Sequence, residues 1–211
     1  MAAQDKILYF NIRARAEPTR MIYALAGEQL TDERVADMKE WSKIKKDQPL
    51  GQLPVFTCKE GTLVMSNTIA RYAAKKFGLM GKTLWEETLN DLIVECCAET
   101  FGVIGKKIFP WKVFKVAPTP ENPEKVLEDI YQELVKTLAY VQSVAEAQGT
   151  KHLVCDEVTL ADVWLLFSLQ HAEVAFPQIM SLNPWVEEFM SRITSDERIK
   201  DYLSKRPKTV V

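Results

Sequence analysis

Histidine and cysteine are scarce in this chain. His152 and His171 are the only histidines, and neither has a partner at metal-ligand spacing. Cys96 and Cys97 are adjacent, Cys58 and Cys155 stand alone, and no Cys-x-x-Cys pair is present to form a redox or zinc site. Reduced, structural cysteines and ordinary histidines are expected. Charge imbalance is lacking too. The chain has 27 Lys and Arg against 29 Asp and Glu, a net charge of −2. No basic excess is left to drive binding to nucleic acid or to an anionic membrane. No apolar run approaches the roughly 20 residues that span a bilayer. Met1 to Asp5 lacks the basic start and apolar stretch of a signal peptide, so a cytoplasmic location is expected.

What remains is an ordinary globular composition, 47% hydrophobic and 27% charged, in 211 residues. That length supports one large domain or two modest ones. Two rhythms divide it. Up to about residue 80 the pattern alternates. Ile7-Leu8-Tyr9-Phe10 reads as a buried strand, and Glu17-Pro18 opens a helix that Gly27 stops. Thr31 to Val35, Val55 to Cys58 and Thr62 to Met65 read as three further strands, with Glu60-Gly61 as a turn. Ser66 is placed as the N-cap of a helix running to about Phe77. The order is β-α-β, an irregular connection, then β-β-α.

From Trp85 onward the pattern is helical. One long segment reaches about Lys115 and should kink or break at Pro110. A second runs from Glu124 to Gln148 and ends at Gly149. Thr159-Leu160-Ala161-Asp162 starts a third like a capping box, with Val158 and Val163 as its hydrophobic staple. That helix, Leu160 to about Glu173, is apolar on most sides and should be buried. Shorter helices are expected near Pro184 to Ile193 and Glu197 to Ser204. The domain division is therefore residues 1–80, an α/β domain, and residues 85–211, an all-helical one.

Several motifs in this order resemble the sigma class of cytosolic glutathione transferases, over essentially the whole chain. Tyr9-Phe10-Asn11-Ile12-Arg13-Ala14-Arg15-Ala16-Glu17 resembles the first strand and loop of that class. Gly51-Gln52-Leu53-Pro54 resembles the loop ending in its cis-proline. Ser66 with Ile69-Ala70-Arg71-Tyr72 resembles its glutathione-binding helix, Val158 to Asp162 its helical capping box, and Lys205 to Thr209 its tail. Phe109-Pro110-Trp111 has a counterpart in prostaglandin D synthase of the haematopoietic type, a sigma-class member. The resemblance implies a thioredoxin-like N-terminal domain that binds glutathione. A helical domain follows and contributes the electrophile site. It also implies a homodimer, with glutathione as co-substrate and no metal.

By the same resemblance, Tyr9 and Arg15 are the catalytic pair. Glutathione reacts as a thiolate, and a phenol that keeps its proton near neutral pH can stabilise one by donating a hydrogen bond. Residues 1–30 contain no Ser or Cys, which disfavours the classes that use those side chains at this point. Glutathione contacts are implied for Tyr9, Phe10, Arg15, Trp41, Lys45, Gln52, Leu53, Pro54, Ser66 and Glu99. Trp41 and Lys45 supply donors for the glycine carboxylate. Ser66 and its helix N-terminus face the γ-glutamyl end. Glu99 stands where the class has an aspartate that reaches across the dimer; an exposed carboxylate is the alternative reading. Phe10, Ile12 and Trp111 are the electrophile pocket, with Phe109 and a Val210-Val211 lid as weaker candidates.

Two departures matter. Ala14 stands where the class has glycine, at a cost if a positive φ is needed there. Met65 replaces the usual Gln or Glu, removing one polar contact to glutathione. The resemblance implies conjugation of glutathione to hydrophobic electrophiles. Its alternatives are the glutathione-dependent isomerisation of prostaglandin H2, or a non-catalytic crystallin-like or carrier protein.

Overall fold

A computed structural model describes residues 4–211. In chain order the elements are β1 (Lys6–Phe10), α1 (Glu17–Ala26), β2 (Thr31–Val35), α2 (Met38–Ile44), β3 (Val55–Cys58), β4 (Gly61–Val64) and α3 (Ser66–Lys76). Then come α4 (Leu84–Lys107), α5 (Phe109–Lys112), α6 (Pro123–Gln148), α7 (Leu160–Ala175), α8 (Pro184–Thr194) and α9 (Glu197–Lys205). Two compact units result. One runs to Leu79 and resumes over Thr194–Val211; the other is Met80–Ile193.

The first unit is built on a mixed sheet in the order β2-β1-β3-β4. β1 runs parallel to β2, with Tyr9 opposite Arg34, and antiparallel to β3, which pairs antiparallel with β4. Ile7 and Tyr9 alternate onto the buried face of β1, as a period of two requires. In α1, Pro18 is tolerated because the first turn needs no donor. Gly27, at φ 68°, closes the helix where other residues would be strained. Ile7, Met21, Ile22, Phe56, Ile69 and Ala73 form the fully buried centre. α9 is fastened to α1 by Arg198, whose Nη1 donates to the Leu25 carbonyl at 3.0 Å.

Three details differ from the sequence reading. The connection between β2 and β3 is not wholly irregular, because it contains α2. Asp37 caps α2, accepting from the Glu40 N–H at 2.7 Å. β4 is Gly61–Val64 rather than Thr62 to Met65. Ser66 is the first helical residue of α3, and the cap position falls on Met65 at φ 71°. The Met65 carbonyl accepts from the Ile69 N–H at 3.0 Å, so the helix begins one residue earlier than a serine cap would place it.

In the second unit α4 opens with a reciprocal cap. Thr83 Oγ1 accepts from the Glu86 N–H at 3.2 Å, and Glu86 accepts from the Thr83 N–H at 3.1 Å. α4 stops at Lys107, and Pro110 sits in the next short helix, α5. The break expected at Pro110 thus comes just ahead of it, because a proline has no N–H to continue the ladder. α7 is buried on almost every side, and Phe101, Trp164 and Phe167 make edge or tilted contacts around it. Fully buried Asn90 joins α4 to the start of α7, donating to the Met80 carbonyl (2.8 Å) and accepting from the Ala161 N–H (2.7 Å). Asp162, also fully buried, accepts from the Thr159 N–H and hydroxyl (both 2.9 Å) and from the Leu153 N–H (3.1 Å). Among the described residues no helix is long and apolar enough to cross a membrane.

Candidate functional site

β1 delivers Tyr9 to its C-terminal end, where open α/β sheets present their ligand sites. The ring is 5% exposed and packs edge-on against Phe10 at 5.7 Å; Phe10 in turn packs against buried Trp41 at 5.6 Å. The chain then turns through a short 3-10 segment, Ala14–Ala16, so that the Arg15 N–H donates to the Tyr9 phenolic oxygen at 3.3 Å. Ala14 holds φ 33° to make that turn. A phenol has one proton to give. With its oxygen accepting from Arg15, that proton is left for another acceptor. Burial pushes the Tyr9 hydroxyl above its usual pKa, against the lowering effects of the Arg15 N–H and the Arg15 and Arg20 charges. The group therefore stays protonated at neutral pH.

A cavity of about 280 Å³ lies in the same unit, lined by Arg15, Leu50, Gln52, Leu53, Pro54, Val64, Met65 and Ser66. The Leu53–Pro54 peptide bond is cis. Of the residues implied by resemblance, this cavity gathers Arg15, Gln52, Leu53, Pro54 and Ser66 from three separate stretches of sequence. Tyr9, Phe10, Trp41 and Lys45 are not among its lining residues; Lys45 lies beside Gly51. Met65 is 59% exposed and presents a thioether to the cavity. Leu50 and Val64 are lining residues that the sequence reading did not single out. An exposed leucine in a loop and a half-buried valine at a strand end carry no local signal.

Further candidates are placed separately. Ile12 sits in the turn after β1, and its carbonyl accepts from Arg20 at 2.8 Å. Val211 is buried, and its main-chain oxygen accepts from the Arg13 N–H at 2.8 Å, so the tail is seated on the turn after β1. In the second unit, the Trp111 indole N–H donates to the Lys107 carbonyl at 2.7 Å. Phe109 is 2% exposed and packs, tilted, against His171 at 4.8 Å, a core role. Glu99 lines a groove of about 330 Å³ between α4 and α6, with Cys96, Val103, Lys107, Ile130 and Glu133. The four cysteines are free thiols, and burial pushes Cys97 up to about 12, so it is no nucleophile at neutral pH.

A thioredoxin-like mixed sheet followed by a helical region is the fold class of the glutathione transferases. Residues 110–206 match the family described as the C-terminal domain of glutathione S-transferase. Over 97% of its length the sequence is 31% identical to glutathione S-transferase 3 of Caenorhabditis elegans, of which it also covers 97%. The structure superposes on the glutathione S-transferase of Ascaris lumbricoides with a TM-score of 0.89 and 28% identity, over 99% of this chain and 100% of that one. A sigma class glutathione S-transferase of Fasciola hepatica gives 0.84 and 29%, over 99% of each chain. The chain belongs to the glutathione S-transferase family of enzymes.

Proposed function

We propose that this enzyme is a cytoplasmic, sigma-class glutathione transferase that adds the thiolate of glutathione to hydrophobic electrophiles. The observation that carries the reading is the hydrogen bond from the Arg15 N–H to the Tyr9 oxygen, beside a cavity lined by Arg15, Gln52, Leu53, Pro54 and Ser66. Tyr9 acts as a donor and not as a base. Its proton is held by burial, and a buried donor aimed at developing negative charge is worth more than the same donor in water. Arg15 adds positive potential beside the sulfur.

Glutathione lies along the cavity with its γ-glutamyl carboxylate at Ser66 and the N-terminus of α3, where main-chain N–H groups favour an anion. Its backbone meets Leu53 beside Pro54, with Gln52 next to them. Trp41 and Lys45 take the glycine end. Residues 1–80 carry these glutathione contacts, and the electrophile role of residues 85–211 rests on resemblance. So do the electrophile roles of Phe10, Ile12 and Trp111, and a homodimer in which Glu99 serves the partner's glutathione. Turnover of a generic aryl halide with glutathione tests the reading. Conjugation that saturates in both substrates is expected, and glutathione binding without turnover would make the protein a carrier.

A further inference from the structure

Arg20 has none of the glutathione contacts assigned above, yet it is among the most buried charges in the first unit, at 3% exposure. Burying a guanidinium is costly unless its charge is matched. Here two carboxylates match it, and Nε and Nη1 donate hydrogen bonds, while Nη2 is held as an ion pair only. Arg20 Nη1 donates to the carbonyls of Ile12 at 2.8 Å and Arg13 at 3.3 Å, both in the turn that follows Tyr9. Its Nε and Nη2 meet the Asp32 carboxylate of β2 at 3.0 and 2.9 Å, and Glu17 lies 3.4 Å away. The guanidinium carbon stands 5.8 Å from the centre of the Tyr9 ring. Glu17 is held in turn by Arg206 at 2.7 Å, and the Arg13 side chain donates to the Val210 carbonyl at 2.7 Å. The turn is thus gripped from α1 on one side and from the tail on the other.

We propose that Arg20 is a positioning residue for thiolate formation: by holding the Ile12 and Arg13 carbonyls and lying against the Tyr9 ring, it aims the Arg15 N–H at the Tyr9 oxygen and the Tyr9 hydroxyl at the sulfur. This rests on the reading of Tyr9 as the thiolate donor. The electrostatics agree. The elements around Tyr9 carry Arg13 and Arg15 in the turn, Glu17 and Arg20 on α1, Asp32, Glu33 and Arg34 on β2, and Lys6 on β1; Lys6 and Glu33 pair with each other at 3.3 Å, and the Arg13 side chain is turned to the Val210 carbonyl. Glu17 is matched by Arg20 and Arg206, and Asp32 is matched by Arg20 and by Arg34 at 2.7 Å. The cationic influence on the phenol comes from Arg15 and Arg20, and both oppose the upward push of burial.

The test compares the full-length wild type with Tyr9→Phe, Arg20→Met, Arg20→Lys and the Tyr9→Phe/Arg20→Met double variant. Three quantities are read: the apparent pKa of bound glutathione from thiolate absorbance, kcat with an aryl halide, and glutathione Kd by calorimetry. Arg20→Met should raise the thiol pKa by about one unit and lower kcat about tenfold at neutral pH, with Kd within about threefold of wild type. Arg20→Lys keeps the charge without the planar fork and should fall between the two. In the Tyr9→Phe background, Arg20→Met should add less than about twofold, because residues acting as one unit are not additive. A wild-type thiol pKa and kcat in Arg20→Met, or full additivity in the double variant, would overturn the proposal while leaving Tyr9 intact. Full turnover in Tyr9→Phe would instead remove the tyrosine reading and this proposal with it. If Arg20→Met does not fold, Arg20→Lys and its cycle with Tyr9→Phe decide on the same readouts.

Discussion

The Arg15 N–H donates to the phenolic oxygen of Tyr9 at 3.3 Å, so the catalytic tyrosine we propose is oriented by the backbone of the arginine that shares its site. Tyr9→Phe keeps the ring and removes the donor. It should lower kcat on the order of 10- to 1,000-fold, as loss of one such donor does elsewhere, with glutathione affinity little changed. Because burial raises the phenol's pKa, wild-type activity should rise with pH as glutathione ionises. It should show no descending limb from tyrosine ionisation below about pH 10. Full turnover of the variant at saturating glutathione would contradict the assignment.

Ala14 pays for the same turn. Its φ of 33° lies in the left-handed region, where a Cβ is unfavourable by about 1–2 kcal/mol. Ala14→Gly relieves that strain but adds freedom to the unfolded chain, so a net gain of about 0.5–1 kcal/mol is expected. Urea unfolding measures it, and a loss of stability would show that the methyl group, 8% exposed, contributes more by packing than it costs.

Met65 lines the cavity with a side chain that cannot donate a hydrogen bond. Met65→Gln should tighten glutathione binding by about 0.5–1.5 kcal/mol, the worth of one net hydrogen bond. The rate at saturation should hardly move, since the contact is made equally in ground and transition states. Calorimetry on the two proteins decides it; unchanged or weaker binding would mean that this end of glutathione is already satisfied.

Asp162 does more than cap a helix. Its removal leaves three donors, from Leu153 and Thr159, without their acceptor in a fully buried place. Asp162→Ala should therefore cost about 2–4 kcal/mol, above an ordinary cap, on the scale of about 1 kcal/mol per stranded group. The folded fraction should keep its kcat. Collapse of catalysis at unchanged stability would assign the residue to chemistry.

The proposed dimer is checked by sedimentation equilibrium together with Glu99→Gln. The variant should bind glutathione more weakly while remaining dimeric. A fully active monomer would remove both the dimer and the role of Glu99 across it.

The start of α7 was legible because Thr159 and Asp162 are three residues apart and their bonds are local. β1 was legible from the short apolar run Ile7 to Phe10, whereas β2, Thr-Asp-Glu-Arg-Val, has no such run. α2 was not legible: it has seven residues, Trp41 is its only buried side chain, and Asp37 is its only strong signal. Ser66 was placed one residue off because a cap depends on where φ turns, and Met65 gives no hint of 71°. The cavity's polar residues came from resemblance, whereas Leu50 and Val64 join it only through the folded path of the chain. Arg20 reads in sequence as one charge among apolar helix residues. Its meaning comes from two carbonyls and a carboxylate on other elements.

The bond from the Arg13 N–H to the Val211 oxygen joins residues nearly two hundred positions apart, and α9 is fastened to α1 over a similar span. The first unit is therefore discontinuous in the chain, with the second synthesised between its parts. A ribosome that has just released the sheet has made Tyr9, but not the segment on which the turn beside it rests. Contacts of such long sequence separation form late, because the intervening chain must be closed before they stabilise anything. Tyr9 gains its final setting only after Val210 and Val211 have been made, so a shorter nascent chain cannot yet hold in place the tyrosine we propose as the thiolate donor.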